Sequence, residues 1–412
     1  MTLKKHLTTF VAMALATGTL SMVGLAQASA APVVPVATIT QAMKMYSSQL
    51  EQIYGRAVSS NARTILKGAT LKPIPSSSTM TTDQIKFAET QVGTLRDSFA
   101  DSGLAIRSAQ VISTVLSTNM VGENVIAKVD MTTSVSSVWA SDGSSLSSSW
   151  SDQHTLTLSP VRSRTGVTYS VISDKYIAPP KNDDETTMTA SDLAALPKPQ
   201  QSSDSLSAAS STSQQESGVA SALAQPKINV TKFVNYALKW TAPTNASKMN
   251  PAYPSYSNNC TNFGSQVLNN AGFKLIGGNS LQGKNTKVWT YNLAGIAGAS
   301  WTWNNAIYNN SYVGNYSGAY GWLNNIWNAT PGDILYTDWD PNGKADGKID
   351  HMMVVTGRGW VTGTSSPTGK SYYSPLISQK SNNRYNIPLQ TSINLAKQSG
   401  TTKIVWYGLK HK

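Results

Sequence analysis

The chain has 412 residues, 40% of them apolar and 13% charged, and a formal charge of +12. This length suits two or three domains at about 150 residues each, and the composition excludes collagen-like, coiled-coil and wholly disordered chains. A single cysteine, Cys260, excludes any disulfide within the chain.

Met1 to Lys5 is a short basic start, Phe10 to Leu25 an apolar or small-residue stretch, and Ala28-Ser29-Ala30 an A-x-A cleavage site. This is the layout of a secretory signal peptide, so residues 1–30 are set apart from the fold. No later apolar run is long enough to span a bilayer. The mature protein is expected to be secreted or cell-wall associated on a bacterial exterior, with no membrane span.

Residues 31–180 read as an α+β unit. Apolar residues recur at helical spacing over Ile39–Val58 and Thr82–Phe99, including Met43, Met45, Tyr46 and Leu50 in the first. Alternation then predicts strands at Val111–Thr118, Asn124–Val135, His154–Leu158 and Thr168–Ile172, with turns at Gly122, Gly143 and Gly166. This order, helices followed by an antiparallel meander, resembles the small sheets of the NTF2-like group. His154 sits on an alternating strand and reads as structural. Residues 181–226 are rich in Ser, Ala and Gln with almost no aromatic content, which predicts a disordered linker with a short helix near Ser191–Leu196.

Charge separates along the chain. Residues 227–412 carry 17 Lys and Arg against 5 Asp and Glu, whereas residues 31–226 carry 14 against 16. The basic C-terminal part should attract a polyanion. No zinc-ligand spacing, helix-turn-helix or single-strand-binding motif points to nucleic acid, so the expected partner is peptidoglycan or a wall polyanion. Oligomeric state is left open.

The C-terminal part holds the chemistry. Val230 to Trp240 predicts a helix with Thr231 as cap, and a breaker-rich loop from Asn250 to Asn259 leads to Cys260. Phe263, Val267 and Leu268 follow at helical spacing up to Asn270-Ala271-Gly272, placing Cys260 in the first turn of a helix. Unpaired N–H groups and the macrodipole there favour a thiolate and can hold an oxyanion. Of four histidines, His6 lies in the signal segment, His411 is penultimate and expected to fray, and His351 opens an alternating strand. A cysteine at a helix start and a histidine at a strand start suit a cysteine hydrolase; two unrelated structural residues are the alternative.

Asn259-Cys260-Thr261-Asn262-Phe263-Gly264-Ser265-Gln266 resembles the N-C-T-N-F-x-S-Q core of the bacterial "Putative amidase domain" family, a branch of papain-like CHAP and NlpC-type cell-wall hydrolases. Asn250-Pro251 with Tyr253-Pro254, Gly332-Asp333 and Asp350-His351 fit the same pattern, so the resemblance covers about the last 180 residues. It implies a papain-like α+β domain over 227–412, with Cys260 as nucleophile and His351 as general base. It also implies an orienting residue on the next strand, Tyr372–Gln379, or just beyond it. Gln379 is the first choice and Asn382 the second, because an amide oxygen can fix the imidazole tautomer; Lys380, in a slot where related sequences often show histidine, cannot accept. Asn259 or Tyr256 would join the Cys260 N–H in the oxyanion hole.

Asp338, Asp340 and Asn342, with Asp346 at position nine, match the first part of a calcium loop, although Ile349 holds position twelve and the carboxylate comes one residue late at Asp350. A polar hairpin is the alternative. Asp350 should point away from the His351 face. The aromatic residues dense between Trp289 and Trp327 read as core, with a sugar-facing groove as the alternative. The expected function is a secreted cysteine-dependent amidase or peptidase acting on peptidoglycan; the alternative is a non-catalytic basic protein of the cell-wall surface.

Overall fold

The computed structural model describes residues 36–55, 81–177, 188–206, 224–296, 298–340, 345–362 and 370–412. The expected signal peptide, the end of the first expected helix at Val58, residues 181–187 and 207–223 of the expected linker, and Asn342 lie outside these residues. The architecture is α+β, with N-terminal helices and a large antiparallel sheet.

Two helices come first, α1 (Val36–Tyr54) and α2 (Thr82–Asp101). Helix α1 buries Ile39, Met43, Tyr46, Leu50 and Ile53, one face at the spacing expected, while Met45 turns outward. A capping box opens α2: Gln84 N–H donates to Thr81 Oγ1 and Thr81 N–H to Gln84 Oε1. Strands β1 (Leu104–Val121), β2 (Asn124–Trp139), β3 (Ser145–Ser163) and β4 (Gly166–Ile177) form the meander. They run longer than the sequence signals because polar Ser and Thr positions on the half-exposed face interrupt the alternation without interrupting the ladder.

A short helix α3 (Ala190–Ala194) falls within the stretch expected as linker. The described residues there are docked rather than free. Ser202 N–H donates to Trp406 O, Ser203 N–H to Asn324 O, and Trp327 Nε1–H to Asp204 O. Backbone pairing of this kind does not require an apolar composition, which is why composition missed it.

Helices α4 (Val230–Thr241) and α5 (Cys260–Asn270) follow, then β5 (Tyr320–Leu323), β6 (Ile334–Asp338), β7 (His351–Val361), β8 (Tyr372–Gln379), β9 (Arg384–Pro388), α6 (Leu389–Gln398) and β10 (Val405–His411). Asn229, not Thr231, caps α4, its Oδ1 accepting Lys232 N–H at 3.0 Å. The sheet order is β1-β2-β3-β9-β8-β7-β6-β10-β5, with β4 also on β3. Strand β3 therefore joins the meander to the C-terminal strands, Ser149 and Trp150 pairing with Tyr385 and Arg384. Further ties cross the same seam: Ser98 bonds Thr391 at 2.7 Å, and Trp139 covers Gly359 so closely that no side chain would fit there. The stretches expected as separate N- and C-terminal domains thus share one sheet.

His411 is not frayed. It lies in β10 opposite Tyr320, and its Nδ1 pairs with Asp333 Oδ1 at 2.7 Å. Trp289, Trp303, Tyr312 and Tyr320 are core, with Trp289 and Trp303 ring centroids 4.7 Å apart, so these rings hold the fold instead of lining a groove. Among the described residues, no helix is long and apolar enough to cross a membrane.

Candidate active site

Cys260 opens α5. The polar residues around it are spent on holding the helix. Asn262 Nδ2–H donates to Pro254 O and to Asn259 Oδ1, both at 2.8 Å, while its Oδ1 accepts Trp303 Nε1–H. Ser265 Oγ–H donates to Trp303 O, and Gln266 Oε1 accepts Tyr236 O–H. Tyr236 in turn accepts Asn250 Nδ2–H, and Tyr253 O–H reaches Asn269 Oδ1 at 2.8 Å. These bonds tie the Asn-rich block and the Asn-Pro-x-Tyr-Pro loop to the start of the helix, with buried Gln266 Nε2 left without a partner.

Helix α5 packs on β7 through Gly264. A Cβ there would lie 2.2 Å from Met352 Cε, so any larger residue would force the Met352 side chain aside. At its N-terminal end the Cys260 thiol approaches Asp350 O at 3.8 Å, the carbonyl immediately preceding His351. Asp350 Oδ2 accepts Trp339 N–H at 2.9 Å. The Trp339 ring stacks on the imidazole, with centroids 5.0 Å apart and planes 23° apart. Cys260 and His351 are only 1% and 3% exposed.

Burial pushes the His351 imidazole down to about 4, against the Gln379 side chain, which favours the charged form, and with the Arg384 guanidinium, which disfavours it. His351 Nε2 and Gln379 Oε1 are both buried and neither meets full hydrogen-bond geometry in this state. The Gln379 amide is itself held, its Nε2–H donating to Asn382 O at 3.2 Å. Asn382 goes elsewhere: its Nδ2 donates to Asp152 Oδ1 and Tyr176 Oη, at 2.7 and 2.8 Å, on the meander side. Lys380, buried, donates from Nζ to the carbonyls of Asn245 and Ala246, and burial lowers it to about 7.

Asn259, expected with Tyr256 in an oxyanion hole, bonds that residue's backbone. Asn259 Nδ2–H donates to Tyr256 O and Ser255 Oγ, and its Oδ1 accepts Tyr256 N–H, so Asn259 and Tyr256 brace each other across the loop. The Cys260 N–H donates to Asn258 Oδ1 at 3.2 Å. Asn258 and Trp339 are the contacts sequence reasoning missed. The first was legible only as one more Asn beside the cysteine, and the second lay inside a segment read as a metal loop.

Carboxylate oxygens of Asp338, Asp340 and Asp346 converge within 4.8 Å of one another. Asp338 already accepts the N–H groups of Asp346 and Gly347, at 3.0 and 2.8 Å, which holds the hairpin closed. Burial, only partly offset by those two bonds, raises the Asp338 carboxyl to about 6.

Searches of curated proteins and of solved structures give no match to this chain. Residues 227–405, the stretch that carries Cys260, His351, Gln379 and Asn382, match the family described as "Putative amidase domain".

Proposed function

We propose that the protein is a secreted, cysteine-dependent amidase acting on peptidoglycan through a papain-like arrangement of Cys260, His351 and Gln379. The observation that carries this reading is the placement of the chain's one cysteine at a helix start, 3.8 Å from the backbone leading into a buried histidine. Neutral His351 takes the thiol proton as sulfur attacks the amide carbonyl and the C–S bond forms. The oxyanion replaces Asn258 Oδ1 on the Cys260 N–H. Collapse breaks the C–N bond, the imidazolium giving its proton to the leaving amine, and water then attacks the thioester with His351 again as base. Carboxylate leaves and the thiol is restored. Gln379 steers the imidazole, and Trp339 keeps water off it.

Export rests on the signal-peptide layout of residues 1–30, and the wall as target rests on the basic balance of residues 227–412. The test is mass spectrometry of purified sacculi after digestion. New amino and carboxyl ends at muramic acid–L-alanine, in the stem peptide or in a crossbridge name the bond; intact sacculi with active-looking, folded protein would end the proposal. The full chain is also expected to bind purified walls more weakly as salt rises, because the screening length falls from about 10 Å at 0.1 M to about 3 Å at 1 M. Cosedimentation indifferent to salt would remove the electrostatic part of the reading.

One observation favours a second reading, a non-catalytic wall-binding protein. With Cys260 and His351 1% and 3% exposed, the thiol and the imidazole offer almost no surface to a substrate. Wall binding by Cys260→Ala equal to wild type, with no cleavage by either, is the outcome that selects it.

A further inference from the structure

We propose that Asp152 and Tyr176, on the N-terminal meander, are positioning residues for the Cys260–His351 site, acting through the turn between β8 and β9. The inference rests on the catalytic reading above and extends it to a part of the chain outside residues 227–405.

The turn touches both halves of the site. At one end Ser381 Oγ accepts Asn259 N–H at 2.8 Å, next to Cys260; at the other, Asn382 O holds the Gln379 amide that acts on His351. What holds the turn is largely the meander. Asp152 Oδ1 accepts both Asn382 Nδ2–H and Arg384 Nη2–H at 2.7 Å, and Tyr176 Oη accepts Asn382 Nδ2–H at 2.8 Å. Arg384 Nη1–H adds bonds to Ser151 O and Asn383 O, and Ser151 N–H donates back to Asn383 O. The Asp152–Arg384 pair is almost fully buried, 2% and 4% exposed at the side chains, so neither charge has water as a substitute partner. A buried, fully bonded clamp of this kind fixes geometry to a fraction of an ångström, and small misplacements of a general base are costly.

The clamp is electrical as well as steric. Arg384 disfavours the charged imidazole, and its ion pair with Asp152 sets an opposite charge directly against that guanidinium. The groups around His351 are few. Cys260 comes from α5, Arg384 from β9, and Asp350 on its own strand bonds Trp339 N–H. Lys380 on the turn faces the carbonyls of Asn245 and Ala246, while Trp339 and Gln379 are uncharged.

The test uses the full chain with four variants, Asp152→Asn, Asp152→Glu, Tyr176→Phe and Cys260→Ala, with folding checked by near-ultraviolet circular dichroism. Asp152→Asn is expected to lower kcat about tenfold or more with KM little changed, and to move the acid limb of kcat/KM to lower pH, because Arg384 then acts on His351 uncompensated. Tyr176→Phe removes one bond to Asn382 but leaves the ion pair, so kcat should fall with the acid limb unmoved. Asp152→Glu should recover part of the rate and return the limb toward wild type. A merely structural role would alter stability and leave both profiles superimposable on wild type, and that result overturns the proposal. If Asp152→Asn does not fold, Tyr176→Phe decides: unchanged kcat sinks the clamp. Activity surviving in Cys260→Ala would instead sink the catalytic reading itself.

Discussion

Cys260→Ala is expected to reduce wall hydrolysis by on the order of 10⁶-fold while leaving the melting temperature within a few degrees of wild type. The size of the loss follows from the mechanism, since without sulfur no acyl-enzyme can form and only binding remains to accelerate the reaction. The small effect on stability follows from the surroundings. The polar network that fixes the helix start is built from Asn259, Asn262, Ser265 and Gln266, and none of its bonds uses the thiol. Because Cys260 is the only cysteine, alkylation of the whole chain by iodoacetamide reports this one site. With the residue 1% exposed, labelling of the folded protein should be slowed by access and should speed up in mild denaturant. Replacement of His351 by Ala should slow that reaction. A Cys260→Ala protein that cleaves walls at a tenth of the wild-type rate or better would place the nucleophile elsewhere.

The places of Cys260 and His351 in the fold were legible because each sits at an element boundary with a strong local signal. The breaker-rich loop before Cys260 and the Asn-Ala-Gly stop after it bracket a helix, and the alternation after His351 marks a strand; both boundaries stand in the structure. The sequence ranked Gln379 before Asn382 but did not show that, three residues apart across a turn, they leave the sheet in opposite directions. One approaches His351 and the other turns to Asp152, 230 positions earlier in the chain. The joining of meander and C-terminal strands through β3 and β9 was illegible for the same reason. Register between strands so far apart depends on tertiary packing, to which local periodicity is blind. His411 shows the converse error: a position near the chain end was read as loose, yet a buried carboxylate, Asp333, fixes it.

Lowering the pH from about 6.5 to about 4 is expected to cost wild-type protein about 3 kcal/mol of stability that a His351→Gln variant does not lose, the difference following from an imidazole held near 4 when folded against 6.5 when unfolded. The sign is set by which state binds the proton. Within that window the unfolded chain carries the proton on His351 and the folded chain does not, so acid pulls the equilibrium toward unfolding. Above the unfolded value both states are neutral and the contribution is fully present; below the folded value both are protonated and the loss is complete. Asp338 works the other way, because its carboxyl is raised to about 6 and the folded state holds its proton first. His154 has the same opposing sense: burial is the largest single effect and disfavours its charge, but the bond to Asp174 and the charges of Asp174 and Asp152 together outweigh it and raise the imidazole. Denaturant melts of wild type alone would therefore mix opposing slopes, and the difference between wild type and His351→Gln at each pH isolates the one imidazole. A flat difference curve would mean that His351 is hydrated in solution. A neutral base that persists to about pH 4 also carries its consequence to catalysis, placing the acid limb of kcat/KM well below the range of an exposed histidine.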